Sequence, residues 1–137
     1  MRPPQNSLFS SETPETKDLS SSTRFEDLPI FVKWMDFLKW LLHATDKFPK
    51  KSRYVFVNRL NAIALEIAES LVDARYSAKK GVILNEINLK LEKIRILLRI
   101  SYESRLLPHE AYKHAMYALN EIGKMLGGWI RQQRVKS

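Results

Sequence analysis

The feature that most constrains this fold is an apolar residue at every third or fourth position through four stretches of the chain. This spacing is typical of amphipathic helices, which the pattern predicts over residues 29–46, 50–76, 82–104 and 108–132. No stretch alternates apolar and polar residues in the manner of a β-strand. Since short connections separate the helices, the sequence predicts an all-α fold, an antiparallel up-and-down four-helix bundle.

Each predicted helix has one apolar stripe that we expect to form the core. Pro29 and Pro108 suit first helical positions, where the missing backbone N–H has no helical partner to lose, and Pro49 separates the first two helices. The expected core residues, in chain order, are Ile30, Phe31, Trp34, Leu38, Leu41, Leu42, Phe56, Leu60, Ile63, Ile67, Leu71, Ala74, Leu84, Ile87, Leu91, Ile94, Leu98, Tyr112, Ala115, Leu119, Ile122, Leu126 and Trp129.

The chain divides into two regions of different composition. Residues 1–28 are rich in Ser, Thr, Pro and acidic side chains and lack periodicity, so we expect a disordered acidic tail. Residues 29–137 form the bundle and carry 20 basic against 10 acidic side chains. A domain with such an excess of positive charge attracts phosphate backbones or anionic membranes, but a solvated lysine-rich surface explains the charge alone equally well.

Composition excludes several classes of protein. The chain has no cysteine, which removes disulfides, thiolate metal sites and a thiol nucleophile. It has no run of about 18 apolar residues that would span a membrane. The first residues also lack the basic start and apolar stretch of a secretory signal. We therefore expect a cytoplasmic protein without a membrane partner.

The predicted third helix has apolar residues on two opposite sides, although a helix of an isolated bundle needs only one apolar face. Either this helix is buried on both sides within the bundle, or its second stripe contacts another copy of the chain. We expect the second arrangement, because exposed apolar stripes of this size are uncommon on monomers. With a weaker counterpart on the second helix, the expected oligomer interface consists of Leu65, Val72, Val82, Leu89, Ile96 and Ile100.

Basic residues of the third and fourth helices indicate a nucleic-acid-binding surface. On the fourth helix the cations follow one stripe with a tyrosine beside it, so charges can meet phosphates while the ring stacks on a base. Each residue taken singly also fits a solvated face. Trp40 is expected to point away from the core, as a stacking platform or an interface anchor. The expected nucleic-acid-binding residues are Lys90, Lys93, Arg95, Arg99, Lys113, Tyr117, Lys124, Arg131 and Arg134.

Three glycines lie within the last predicted helix. Each destabilises a helix by about 1 kcal/mol relative to alanine, so a structural reason for them is expected. Gly123 and Gly127 form a Gly-x-x-x-Gly ridge beside the core stripe, which predicts close packing of two helices. Gly128 faces away from that ridge, and the sequence provides no firm account of it.

No arrangement of residues indicates catalysis. The histidines form neither a Glu-x-x-His nor a His-x-x-x-His pair, so the di-metal pattern of ferritin-like bundles is absent. His114 is expected to form a surface pair with Glu110. A metal enzyme that uses Glu66 and Glu69 is an alternative, but it lacks histidine ligands. We therefore expect a protein that is not an enzyme and holds no metal or cofactor.

Four stretches of the sequence resemble the accessory variability determinant (Avd) family of diversity-generating retroelements. They are residues 34–49 (WMDFLKWLLHATDKFP), 71–76 (LVDARY), 88–98 (NLKLEKIRILL) and, most specifically, 122–133 (IGKMLGGWIRQQ). The resemblance extends over residues 30–133 and leaves the N-terminal tail outside.

The resemblance implies a four-helix bundle that assembles into a homopentameric barrel. It also implies a ribonucleoprotein in which the bundle binds the element's reverse transcriptase, its template RNA and the complementary DNA. That complex makes adenine-mutagenised complementary DNA, which diversifies a target gene, and the Avd subunit has no catalytic role in it. Two alternatives stay open. One is the related RNA-binding bundle encoded in intervening sequences of ribosomal RNA genes, and the other is an adaptor that binds only proteins.

Overall fold

A computed structural model of the 137-residue chain describes Arg24 and residues 28–136. Within these residues the backbone forms four helices and no strand. The acidic tail predicted for residues 1–28 lies outside the described residues, apart from Arg24 and Leu28.

The four helices agree closely with the predicted stretches. The first, α1, starts with proline at its first position, as expected. The third helix starts two residues earlier than predicted and the fourth extends four residues further. The bounds are Pro29–Thr45 for α1, Lys50–Tyr76 for α2, Lys80–Glu103 for α3 and His109–Lys136 for α4, with a π-helical segment at Arg53–Val57 inside α2.

The helices form a four-helix bundle. Helix α1 packs against α2 and α4, and α3 packs against the same two helices from the other side. Because consecutive helices are in contact and joined by short turns, they run up and down, as predicted. The α1–α2 turn and the α3–α4 turn therefore lie at one end of the bundle, which we call the lower end.

The predicted apolar stripes form the core. One predicted core residue is wrong: Leu42 is 46% exposed, whereas Phe37, which was not predicted, is 3% exposed and lies in the core. The fully buried large side chains come from all four helices, and α3 supplies five of them. They are Trp34, Leu41, Leu60, Ile67, Leu71, Leu84, Ile87, Leu91, Ile94, Leu98, Leu119 and Leu126.

Aromatic side chains of α1 connect it to both of its neighbours. The indole N–H of Trp34 donates a buried hydrogen bond to the Ala64 carbonyl oxygen of α2 at 3.0 Å. On the other side, the ring of Trp40 lies between Phe37 and His114, with centroid distances of 5.7 Å and 4.8 Å. Trp40 is thus half-buried between α1 and α4, and the expectation that it points away from the core is wrong.

The α1–α2 turn is anchored in the core. The Thr45 hydroxyl is buried and donates a hydrogen bond to the Leu41 carbonyl oxygen at 2.8 Å, which satisfies a buried polar group at the end of α1. Phe48 is only 2% exposed, so the chain turns around a side chain that belongs to the core. Pro49 then precedes the first residue of α2.

The α3–α4 turn ends α3 in a Schellman motif. The backbone N–H of Leu106 donates to the Ser101 carbonyl oxygen at 2.8 Å, and that of Arg105 donates to Tyr102 at 3.0 Å. Arg105 has a φ of 65°, the left-handed conformation that glycine normally supplies. An arginine in this position is disfavoured by roughly 1–2 kcal/mol. The folded chain would therefore be more stable with glycine at position 105, but it has a cation there, at the lower end of the bundle.

The neighbours Leu41 and Leu42 provide a matched test of the core. Leu41 is fully buried, so Leu41→Ala should lower the free energy of unfolding by about 3 kcal/mol. Leu42 is half-exposed, so Leu42→Ala should lower it by about 1 kcal/mol or less. Urea denaturation followed by circular dichroism measures both. Equal losses would mean that α1 is rotated from the orientation described.

Candidate protein and nucleic-acid interfaces

The predicted oligomer interface is a solvent-exposed apolar surface, which we call the outer apolar face. Its six residues are between 39% and 64% exposed, on the sides of α2 and α3 that point away from the core. The alternative in which the third helix is buried on both sides of a single bundle is therefore wrong. Of the two apolar stripes of α3, the one centred on Leu91 is buried and the other is exposed. The outer apolar face comprises Leu65, Val72, Val82, Leu89, Ile96 and Ile100.

A groove between α2 and α3 is continuous with the outer apolar face. Most of its lining is apolar, and charged side chains stand among the apolar ones. A lining that is mainly apolar is more typical of the core of a protein–protein interface than of a surface that contacts phosphates. The groove is lined by Arg59, Ile63, Leu89, Glu92, Lys93, Ile96 and Leu97.

Two of the predicted nucleic-acid-binding cations connect helices within the bundle. The Lys90 ammonium lies 4.0 Å from the Glu66 carboxylate of α2. The Arg95 guanidinium is paired with Glu92 and donates a hydrogen bond to the Leu119 carbonyl oxygen of α4 at 3.2 Å. Both cationic side chains are about three-quarters buried, at 25% and 23% exposure. Their positive charges are therefore already engaged by groups of this chain.

Three further predicted cations lie one helical turn from a glutamate. Arg99 donates to Glu103 at 3.0 Å, Lys113 lies 4.0 Å from Glu110, and Lys124 lies 3.7 Å from Glu121. The hydrogen bond from Arg99 to the Glu103 carboxylate, together with the attraction between the two charges, raises the pKa of Arg99. These neighbouring carboxylates reduce the positive potential that a phosphate would meet.

The other predicted nucleic-acid-binding residues are more accessible. Tyr117 is 68% exposed and lines a groove between α3 and α4 together with Asn120 and Lys124. Arg131 and Arg134 are exposed near the end of α4, and Lys93 is exposed in the groove between α2 and α3. These four residues therefore lie in two different grooves and near one end of α4.

The two ridge glycines border arginine side chains. A Cβ atom at Gly123 would lie 3.2 Å from the Arg95 guanidinium of α3, so the glycine leaves room for the hydrogen bond from Arg95 to α4. A Cβ atom at Gly127 would lie 3.6 Å from the guanidinium of Arg131 in the same helix, which is its nearest neighbour. Within the described residues, the atoms nearest to a Cβ at these two glycines belong to arginine side chains, and the close helix packing at this ridge stays a prediction.

The carboxylate and histidine side chains considered for a metal site have other neighbours in the bundle. Glu66 faces Lys90 of α3. Glu110 lies near Lys113, whereas the His114 ring packs on Trp40. The predicted surface pair of His114 and Glu110 is therefore wrong. Across residues 28–136, no group of three or more His, Cys, Asp or Glu side chains is arranged to hold a metal ion.

The sequence prediction missed a group of exposed cations that form no ion pair among the described residues. Lys47, Lys50, Lys51 and Arg53 are all exposed around the α1–α2 turn, and we call these four residues the basic turn. Asp46 is the one carboxylate between positions 37 and 65, a stretch that contains six lysine and arginine residues. That imbalance is visible in the sequence, but it follows no helical period and so does not appear as a stripe.

The geometry assigns the chain to the class of basic four-helix bundles with an exposed apolar face. The model of the bAvd-like family matches residues 30–133, so the chain belongs to that family and the resemblance to Avd is confirmed. This family is an accessory, non-catalytic kind of protein. A search of curated proteins found no match. Among the described residues, no helix has the length and apolar character needed to span a membrane.

Alanine substitutions at the two ridge glycines test the role assigned to each. Gly127→Ala should raise the free energy of unfolding by about 0.5–1 kcal/mol, because the new methyl group meets ordinary contact distances and the helix propensity improves. Gly123→Ala should give a smaller gain, since its methyl group approaches Arg95 closely. Chemical denaturation at several protein concentrations provides the comparison. A loss of stability in Gly127→Ala would indicate that another chain packs against this glycine.

Proposed function

We propose that the protein is the non-catalytic accessory subunit of a diversity-generating retroelement. In this role it binds the reverse transcriptase and the template RNA in the cytoplasm and supports mutagenic synthesis of complementary DNA, the process called mutagenic retrohoming. The observation that carries the proposal is membership of the bAvd-like family across residues 30–133. The twofold excess of basic over acidic side chains in residues 29–137 supports a polyanionic partner.

The proposal includes assembly into a homopentamer through the outer apolar face. This face has two parts with different residues, Leu65 and Val72 on α2 and the four apolar residues of α3. Contacts between unlike patches of successive copies produce a closed ring when the rotation between copies closes. Removing exposed apolar surface from water stabilises such a contact by about 25 cal/mol per Å².

In this proposal, RNA binding depends mainly on contacts between cations and phosphates. Repeated copies of a basic bundle present many cations to one strand, which gives binding with little sequence preference and a steep dependence on salt. The glutamates beside Arg99, Lys113 and Lys124 weaken the field along α3 and α4. That observation favours a second candidate, an adaptor that binds the reverse transcriptase but not free RNA.

Capture of the reverse transcriptase separates the two candidates. The tagged protein should retain the reverse transcriptase encoded by the same element after nuclease treatment. It should also bind the template RNA, with an affinity that falls about 100-fold between about 50 and about 200 mM salt if about five phosphates are neutralised. Fluorescence anisotropy measures that affinity. Retention of the enzyme without any RNA binding would support the adaptor, and loss of both would contradict the proposal.

Lysine substitutions in the outer apolar face test the assembly. Leu89→Lys with Ile96→Lys should convert the oligomer to monomers, because both exposed side chains would place charge in the contact. Helix content should stay unchanged, since neither residue belongs to the core. Val32→Lys with Leu42→Lys is the matched control, as these α1 residues are similarly exposed but lie outside the face. Sedimentation velocity reports the state of each variant. An intact oligomer in the first variant would place the contact elsewhere.

A further inference from the structure

The lower end of the bundle combines unpaired cations with an exposed aromatic ring. We propose that the basic turn and Tyr54 form a binding site for a single-stranded nucleic acid, in which phosphates contact the four cations and a base stacks on the tyrosine ring. This inference rests on the proposed function for the class of its ligand. The residues are different from those that the sequence pattern predicted on α3 and α4.

The charge of the basic turn is not balanced by its surroundings. Within the described residues, Lys47, Lys50, Lys51 and Arg53 form no ion pair. Arg53 donates a hydrogen bond to the backbone carbonyl oxygen of Asp46 at 3.0 Å, which directs its guanidinium toward the turn without neutralising it. Five of the eight cations predicted to bind nucleic acid on α3 and α4, in contrast, lie beside a glutamate. A phosphate would therefore meet several cations at the turn that no carboxylate of the described residues neutralises.

Tyr54 provides the stacking surface. It is 83% exposed, more than any other large apolar side chain described, and directly follows Arg53. No ring contact or hydrogen bond of its side chain is present within the described residues. It belongs to the π-helical segment Arg53–Val57, a departure from regular helix that is frequent at functional sites. Cations beside an exposed ring match the requirements of a single strand, whose phosphates and bases are both accessible.

A second feature of the lower end adds to the positive charge. Arg105 is exposed in the α3–α4 turn, at the same end of the bundle, and its left-handed conformation would suit glycine better. Strained residues of this kind are concentrated at functional sites. Its guanidinium adds a further exposed cation at the lower end of the bundle.

The surroundings favour a nucleic acid over a membrane surface. Helices that lie on membranes bury a broad apolar face in addition to their cations. The large apolar residues exposed at the basic turn are Tyr54 and Val55, which form no such face. A single ring beside several cations is sufficient for a strand, in which one base stacks while neighbouring phosphates contact the charges.

Charge-neutralising variants at matched positions test the phosphate contacts. A fluorescein-labelled, single-stranded oligouridylate of about 20 nucleotides is the probe, a length that exceeds the site size of typical single-strand-binding modules. Lys50→Gln with Lys51→Gln should lower the slope of log affinity against log salt by about 1.4, since each phosphate contact contributes about 0.7. Lys33→Gln with Lys39→Gln makes the same change in net charge at exposed positions of α1 and should leave the slope unchanged. Equal changes in both variants would overturn the site.

Substitutions of Tyr54 test the stacking contact. Tyr54→Ala should weaken binding of the oligouridylate about tenfold, whereas Tyr54→Phe, which keeps a flat ring, should bind as the unchanged protein does. Duplex RNA should show no difference between the two variants, because its bases are already stacked. Normal binding of the single strand by Tyr54→Ala would contradict the stacking role. Binding by Tyr54→Phe that is as weak as that by Tyr54→Ala would also contradict it.

Two further comparisons complete the test. The first distinguishes a nucleic-acid site at the turn from a membrane site. The second distinguishes failure of this inference from failure of the proposed function. If Lys50→Gln with Lys51→Gln abolishes binding to phosphatidylserine vesicles but spares the oligouridylate, the site serves a membrane and the inference is wrong. If the protein captures the reverse transcriptase and RNA, and all turn variants bind RNA as the unchanged protein does, the inference is wrong but the proposed function stands. If the protein captures no reverse transcriptase but the turn variants lose oligouridylate binding, the proposed function is wrong and the site at the turn is supported.

Discussion

The burial of one side of α3 between α2 and α4 determines the surface that the rest of the chain presents. Five large apolar side chains of α3, spaced from Leu84 to Leu98, are at most 1% exposed. A rotation of α3 that buried Leu89 and Ile96 would move those core residues into water. Since each fully buried side chain of this size contributes about 1.5–3 kcal/mol, such a rotation is unfavourable. The core therefore holds the outer apolar face in solvent, where a second chain can contact it.

The positive charge of the protein is organised by backbone geometry. Along a helix, a glutamate three or four positions from a cation lies beside it, as Glu110 lies beside Lys113 and Glu121 beside Lys124. Around the α1–α2 turn the sequence has no glutamate at this spacing, and the four cations of the basic turn form no ion pair among the described residues. Several cations of α3 and α4 are thus paired with glutamates, whereas those of the basic turn are not.

Helix positions and most of the core were predictable because both depend on a repeated spacing. Adjacent apolar residues at the edge of a stripe were harder to assign. Leu41 and Leu42 differ by one position, and the neighbouring helices determine which is buried. Trp40 was misplaced for a similar reason: the His114 ring on α4 covers it, and a helical wheel of α1 does not include that partner. The outward position of the second apolar stripe could be predicted, but the identity of its partner could not.

The interfaces were less predictable than the fold because they depend on side chains that are distant in sequence. Arg95 looked like a free cation in the sequence, but it reaches the α4 backbone across space that Gly123 leaves open. The basic turn was missed for a different reason. A search for stripes at helical spacing does not detect charge that is concentrated where one helix ends and the next begins.

The buried position of Phe48 has a consequence for the cations on either side of it. Because this side chain is part of the core, the backbone that carries Lys47 and Lys50 becomes ordered when the bundle folds. A ligand of these cations would meet an ordered backbone, so the protein would lose less conformational entropy on binding than a flexible basic segment would. Recognition at the turn and stability of the core are therefore thermodynamically linked, so loosening the packing around Phe48 would weaken binding without altering a single charge.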